Sequence, residues 1–388
     1  MRVFFSVGEP SGDLHAAKLI TNLQSRGVQC VGYGGPKMRE AGCQVHFQLT
    51  DMAVMGIAAI LPLLGKFIQL AKRAGQLFDA DRPDAVVLVD FPGFNWWVAR
   101  AARKRGIPVY YYLPPQLWAW APWRIHKMRR LIDKVLCCLP FEFDWYRERN
   151  MPAEFVGHPF FDEVASHPLD PAFLKQQAER KAAGNRVIGV LPGSRNLEVA
   201  MNFPVQCMLM EKLRERFPTS RFLVASYRES QRTYCAEHLK KHHPDLPVDL
   251  HVGKTSEIIE AAETCVLVSG SVSLEVLART TPSVVVYCVS TFSVIFLKPL
   301  IRCKYFCLAN LIADWMIMPE FAPCRTPEVE VAQMADQLGT WLASPVEMAK
   351  RKAEMRLLRD RVASPGATRN AADAIMRELD RLPLSRAA

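Results

Sequence analysis

Short apolar runs rich in β-branched residues alternate with segments of helical periodicity along most of the chain. Val3–Val7 predicts a strand, Leu14–Gln24 a helix stopped by Gly27, and Val28–Gly32 a second strand. Ala85–Val89 is apolar at every position, the pattern of a strand buried on both faces. A helix is expected from about Asn95 to Arg105; Gly106-Ile107-Pro108 then opens a strand at Val109–Leu113, and Val135–Leu139 and Phe155-Val156 read as further short strands. Ala165–Asn185 is polar, carries Pro168, Pro171 and a charged helical run, and reads as a linker. Beyond it the alternation restarts. Val187–Leu191, Phe222–Ser226, Val266–Val268 and Ser283–Val289 are expected strands, with helices at Glu198–Arg216 and, at the end, Met348–Arg381. Such alternation implies parallel sheets covered by helices on both faces, here in two α/β domains joined near residue 175.

The 388 residues are 50% hydrophobic and 23% charged, which excludes general disorder and allows a core that needs no disulfides. The net charge of +10 is unevenly spread. Nine Lys or Arg lie between Trp97 and Lys134 against one acid, Asp133, a local excess of +8. A basic field of this kind attracts phosphates, nucleic acid or an anionic membrane; for any one residue, a solvated helix face is the simpler reading. Eleven scattered cysteines without a C-x-x-C read as reduced, mostly buried thiols of a cytosolic protein, with no metal expected. The Met1–Phe5 start has no signal-peptide pattern.

Ser283–Leu297 is uncharged over 15 residues, short of the roughly 18 to 20 that span a bilayer. Two stretches, residues 60–73 and 292–306, are apolar with Lys and Arg at their edges. Such helices can lie in a membrane interface, and Leu63, Leu64, Phe67 and Ile68 are the candidate membrane-facing residues; a core helix with a basic edge is the alternative.

In parallel sheets, ligands bind beyond the carboxyl ends of the strands, and several loops fall there. Gly8-Glu9-Pro10-Ser11-Gly12-Asp13-Leu14-His15 follows the first strand; it is neither a dinucleotide fingerprint nor a P-loop, and Ser11 or Asp13 could cap the helix. His15 is a secondary candidate base. Leu191-Pro192-Gly193-Ser194-Arg195 aims Gly193, Ser194 and Arg195 at one point, with Arg195 suited to a phosphate or to a surface pair with Glu198. Ser269-Gly270-Ser271 opens a helix whose free N–H groups favour an anion, with Glu275 one turn in as a ribose contact or a solvent-facing residue. Asp90, ending a buried strand before Pro92-Gly93, suits a general base or a helix cap. Asp79-Ala80-Asp81 is not expected to hold a metal.

Taken in order, these motifs resemble the lipid-A-disaccharide synthase family, nearly over the full length. The matching stretches are Gly8-Glu9 with Ser11-Gly12-Asp13, Gly34–Met38, Met52–Gly56, Asp90 with Pro92 and Phe94-Asn95, and Tyr111-Tyr112 with Pro114 and Trp118-Ala119-Trp120. They continue through Leu139–Glu142, Phe155–Pro159, Leu191–Arg195, Ser269-Gly270 with Leu274-Glu275, Asn310-Leu311 and Pro319-Glu320. The resemblance implies a GT-B fold, two Rossmann-like parallel-sheet domains facing a cleft. Residues 1–170 would bind acceptor and membrane, 171–345 the UDP-sugar, and helices in 346–388 would pack back on the first domain.

It also implies a metal-independent, inverting transfer of 2,3-diacylglucosamine from UDP to the 6-hydroxyl of 2,3-diacylglucosamine 1-phosphate, without a cofactor. Asp90 then matches the catalytic acidic position and Arg195 the essential arginine. Asn310 would lie near the donor, and Ser11, Gly12, Asn95 and Arg124 would serve the acceptor or its phosphate. The implied location is cytoplasmic, peripheral on the inner face of the inner membrane, with an anionic membrane surface as partner, no nucleic acid, and a homodimer left open. Many members carry a second Asp where Gly93 stands, and a Gly-Arg pair where Asp314-Trp315 stands. The alternatives are another UDP-sugar transferase of the same fold and a catalytically silent lipid- or nucleotide-binding paralogue.

Overall fold

The computed structural model describes residues 1–52, 64–288, 303–324, 326–363 and 365–381. The chain forms two compact units, Met1–Asp162 with Pro365–Ala388, and Glu163–Ser364.

The first unit holds a seven-stranded sheet in the order β3-β2-β1-β4-β5-β6-β7. Its strands are β1 (Arg2–Val7), β2 (Gln29–Gly34), β3 (Gln44–Gln48), β4 (Ala85–Val89), β5 (Val109–Tyr112), β6 (Lys134–Cys137) and β7 (Ala153–Phe155). All its pairings are parallel. Strand alternation sends Phe4, Val86 and Tyr111 to one apolar layer and Val3, Phe5 and Val87 to the other. The helices are α1 (Pro10–Gln24), α2 (Pro36–Glu40), α3 (Leu64–Ala80), α4 (Pro92–Arg103), α5 (Leu117–Trp120), α6 (Ile125–Leu131) and α7 (Pro140–Arg147).

The second unit holds six parallel strands in the order β10-β9-β8-β11-β12-β13. They are β8 (Arg186–Leu191), β9 (Ser220–Ser226), β10 (Val248–Val252), β11 (Thr264–Val268), β12 (Ser283–Val286) and β13 (Glu320–Phe321). Around them lie α8 (Pro171–Ala182), α9 (Asn196–Arg216), α10 (Glu229–His242), α11 (Thr255–Ala261), α12 (Val272–Arg279), α13 (Leu308–Ala313), α14 (Glu328–Ala343) and α15 (Pro345–Val362). Ile188, Phe203, Phe222, Val284, Met334 and Trp341 share one core.

The polar stretch read as a linker is corrected. Its charged run forms α8, capped by Asp170, whose carboxylate accepts the N–H groups of Ala172 and Phe173; Phe173 and Gln177 are buried. The charged face toward solvent hid a thin apolar stripe. The C-terminal helical stretch breaks at Gly366, where φ is +110°. Before the break, α15 packs on α12 and α14 in the second unit; after it, α16 (Ala367–Asp380) packs on α1 in the first.

Phe67 is not a membrane-facing residue. On α3 it is buried with Leu70, Ala74 and Phe78, its ring 5.5 Å from that of Phe94. Leu64 is exposed and Ile68 half-buried, while Leu63 lies outside the described residues, as does most of 292–306. Among the described residues, no helix is long and apolar enough to cross a membrane. Asp79 pairs with Arg105 at 2.6 Å and Asp81 with Arg2, so both carboxylates of the D-x-D triplet are engaged.

Candidate active site

A parallel sheet whose strand order reverses leaves a crevice between the two strands from which the chain departs in opposite directions. In the first unit these strands are β1 and β4; in the second they are β8 and β11. The loops singled out from the sequence follow these four strands.

In the first unit, β4 ends at Val89 and Asp90 follows it. Both Asp90 (φ +47°) and Phe91 (φ +45°) are left-handed, a conformation that costs non-glycine residues on the order of 1 kcal/mol or more each and recurs at functional sites. The strain is held by distant groups. Buried Asn95 donates through its amide to the carbonyl oxygens of Asp90 (2.7 Å), Ser6 (3.2 Å) and Val89 (3.3 Å), and accepts from the Ser6 hydroxyl at 2.6 Å. The Tyr111 hydroxyl also donates to the Asp90 carbonyl, at 2.7 Å. Among the described residues, the Asp90 carboxylate accepts only the adjacent Phe91 N–H, at 2.8 Å, so it does not cap α4. Burial raises its pKa, and that N–H partly opposes the rise. Asn95, offered as an acceptor contact, is instead a positioning residue: its polar atoms are spent inside the protein.

The β1 loop approaches this corner. A Cβ on Gly8 would lie 2.1 Å from the Phe91 ring, and one on Gly12 would lie 3.8 Å from the Asp90 Cβ. Ser11 is exposed and Gly12 buried. Asp13 caps α2 rather than its own helix, accepting from the N–H groups of Gly35 (2.8 Å), Lys37 (2.9 Å) and Met38 (3.2 Å). His15 is buried, its ring centroid 6.4 Å from that of His158. Burial, then Lys18, lowers its pKa to about 4 against the pull of Asp162, so at neutral pH it is an uncharged, weak base.

Arg124 lies over the Trp120 ring, its guanidinium carbon 4.5 Å from the centroid. Lys127 lies over Trp96 and Arg100 over Trp97. Lys127 feels both arginines: burial lowers its pKa first, and Arg100 and Arg124 lower it further. These three cations make no ion pair among the described residues, whereas Arg103, Arg105 and Lys134 of the same basic stretch are paired.

One residue carried no role in the sequence reading. Glu142 stands in the first turn of α7, accepting the Trp118 indole N–H at 3.2 Å and the Cys138 N–H at 3.4 Å. Burial raises its pKa to about 8, against those bonds. This favours the protonated acid at neutral pH, and displaced carboxyl pKa values recur at functional sites. The only sequence signal of Glu142 is its place just past a strand, in Leu139–Glu142.

In the second unit, Gly193 takes φ +120° and a Cβ there would lie 2.8 Å from that of Glu198. Glu198 gathers the loop, accepting the N–H groups of Ser194 (3.1 Å) and Arg195 (3.2 Å) and pairing with the Arg195 guanidinium at 2.6 Å. The amides expected to face a phosphate are thus held by a carboxylate, and Arg195 makes the surface pair weighed as its alternative, with 61% of its side chain exposed. Gln231 supports the loop from α10, donating to the Ser194 carbonyl at 2.9 Å.

After β11, Ser269 donates to the Phe306 carbonyl at 2.6 Å, while Gly270 and Ser271 lead into α12. Glu275 is buried and bonds Arg279 at 3.0 Å, so it is not solvent-facing and its carboxylate is engaged within the protein. Asn310 is also corrected. Fully buried, it exchanges bonds with the Met318 backbone and donates to Glu320 at 2.7 Å. Glu320 in turn accepts from the Phe306 and Cys307 N–H groups at 3.0 and 2.9 Å. Asn310 and Glu320 therefore position the segment that holds Ser269.

Two parallel sheets with loops gathered at both reversal points place the chain in the GT-B fold class. Solved structures share the fold: UDP-GlcNAc 2-epimerase from Neisseria meningitidis bound to UDP-GlcNAc aligns with TM-score 0.63 at 12% identity, covering 98% of this chain and 100% of that one. The glycotransferase of kitacinnamycin aligns with TM-score 0.61 at 16% identity, over 97% and 98%. The model of the lipid-A-disaccharide synthetase family matches residues 3–366. Lipid-A-disaccharide synthases of Geobacter metallireducens and Anaeromyxobacter sp. (strain K) are 31% and 34% identical, each over 97% of both chains. The chain belongs to the lipid-A-disaccharide synthase family and is a hexosyltransferase of lipid A biosynthesis.

Proposed function

We propose that this enzyme transfers 2,3-diacylglucosamine from its UDP conjugate to the 6-hydroxyl of 2,3-diacylglucosamine 1-phosphate. Asp90 carries the reading: an acid held on strained backbone at the reversal point of its sheet, its carboxylate bonded among the described residues only to a neighbouring amide. As general base it takes the 6-hydroxyl proton. The freed oxygen pair attacks the anomeric carbon, and the sugar–phosphate bond breaks with its electrons leaving on UDP. Inversion at that carbon gives the β-linked disaccharide phosphate. Arg195, swung off Glu198, meets the diphosphate together with the amino end of α12, and these stabilise the developing charge. His15 stays a secondary base.

Arg124, with Arg100 and Lys127, suits the acceptor phosphate. Trp97, Trp120 and Trp123 are exposed beside these cations, as is Leu64 on α3. Indole rings and basic residues favour the headgroup region of an anionic leaflet, which supports a peripheral site on the inner face of the inner membrane.

The test is a mass-spectrometric transferase assay in detergent with both diacylated substrates. Disaccharide phosphate from the wild type, with about a 100-fold drop for Asp90→Asn, supports the reading. No product from protein that still binds UDP overturns the substrate assignment.

A further inference from the structure

The second unit carries a cluster of soft ligands that the transfer reaction does not use. Cys207 lies on α9; His238 on α10 and His243 just beyond its end complete the group. One ligand atom from each, the Cys207 sulfur and a ring nitrogen of each histidine, lie within 4.8 Å of one another. Donors sharing a tetrahedral zinc at about 2.0 Å (N) and 2.3 Å (S) are roughly 3.5 Å apart, a gap that small side-chain rotations close.

The surroundings also point to a cation. Among the described residues, Nε2 of His238 is buried without a hydrogen-bond partner, a costly state for an imidazole that a metal bond would relieve. Glu211 bonds Nδ1 of His243 at 2.7 Å. A carboxylate on one ring nitrogen makes the other the lone-pair donor and orients the ring, the usual outer partner of a metal-bound histidine. A surface pocket of about 530 Å³, lined by Glu211, Arg214, His242, His243 and Asp245 among others, borders the group at His243.

We propose that Cys207, His238 and His243 form a binding site for a borderline-soft divalent cation of the zinc class, with Glu211 orienting His243. One sulfur and two imidazoles select such a metal over magnesium or calcium. The site staples the carboxyl-terminal part of α10 to α9. Cys207 stands twelve residues beyond Arg195, about 18 Å along the helix, so the ion lies away from the donor loop. The other end of α10 carries Gln231, the brace of Ser194, and a fixed α10 therefore steadies that loop. The cysteine is remote in sequence and on another helix, so ligand spacing gave no sign of the site.

The experiment uses the full chain, stripped with chelator and titrated with Zn2+ and with Co2+. One equivalent is expected to bind, with thiolate-to-cobalt charge transfer, the intense visible bands of a four-coordinate ion, and a raised Tm. His238→Gln and His243→Gln should each weaken Zn2+ by about 100-fold, and Glu211→Gln by about 10-fold. Cys207→Ser should abolish the charge-transfer band; because Cys207 is buried, its fold is checked by circular dichroism, and the histidine variants decide the matter alone if it misfolds. Cys324→Ser, an exposed thiol, should change nothing. Absence of stoichiometric binding, or binding that survives both histidine substitutions, overturns the site.

Discussion

The side-chain amide of Asn95 donates to the carbonyl oxygen of Asp90 at 2.7 Å, from a position wholly buried beneath the first sheet's reversal point. The bond holds the left-handed turn that presents the Asp90 carboxylate. Stability and catalysis therefore separate here. Asn95→Ala takes the acceptor from the Ser6 hydroxyl and removes the amide's bonds to three carbonyls, and should cost about 2–3 kcal/mol in chemical denaturation. Asp90→Asn should leave the denaturation midpoint nearly unchanged while kcat falls about 100-fold. Equal loss of stability in both variants would refute the division.

Arg195 gives the opposite balance to Asn95. Its side of the pair with Glu198 is solvent-exposed, and such surface pairs contribute roughly 1 kcal/mol or less. Arg195→Ala should melt within about 2 °C of wild type yet weaken UDP binding about 10-fold or more, the worth of a lost charged hydrogen bond. Calorimetric titration with UDP measures it. Arg195→Lys should restore only part, because an ammonium lacks the guanidinium fork.

Glu142 makes stability depend on pH in a definite direction. The folded state holds its pKa at about 8, above the ordinary carboxyl value of 4.5. From about pH 4.5 upward the unfolded chain releases a proton that the native state keeps, so stability is lost until about pH 8 and then levels off. Glu142→Gln removes that titration and keeps an acceptor for Trp118. The variant's Tm relative to wild type should therefore climb between pH 4.5 and 8. A difference that is flat across this window would show that the native carboxyl is ionised.

Gly93 stands in the first turn of α4, and a Cβ there would meet nothing within 4 Å. Gly93→Asp should stabilise the fold by roughly 1 kcal/mol, from lost chain entropy and a favourable charge at the helix start. The second carboxylate, three residues from Asp90, should also move the acid limb of the pH–rate profile upward. A stability gain with an unmoved limb would mean the two carboxylates do not interact.

The sequence alone determined the α/β architecture and the loops that matter. Central parallel strands are buried on both faces, so Ala85–Val89 and Val187–Leu191 stand out as unbroken apolar runs, and ligand loops follow such strands directly. Edge strands lack that signal: β3 and β10 border their sheets half-exposed and went unread. The positions of Asp90, Arg195 and Ser269 in the loops directly after buried strands were legible because turn chemistry is local. The roles of Asn95, Asn310 and Glu275 were not, because a polar side chain beside a motif looks the same whether it meets a substrate or a buried partner. Ser6 meets Asn95, and Cys207 meets His238, only after sheet and helices have packed. Local residue pattern settles which elements form, whereas the partners of a buried polar group come from distant segments that only the tertiary fold brings within bonding distance.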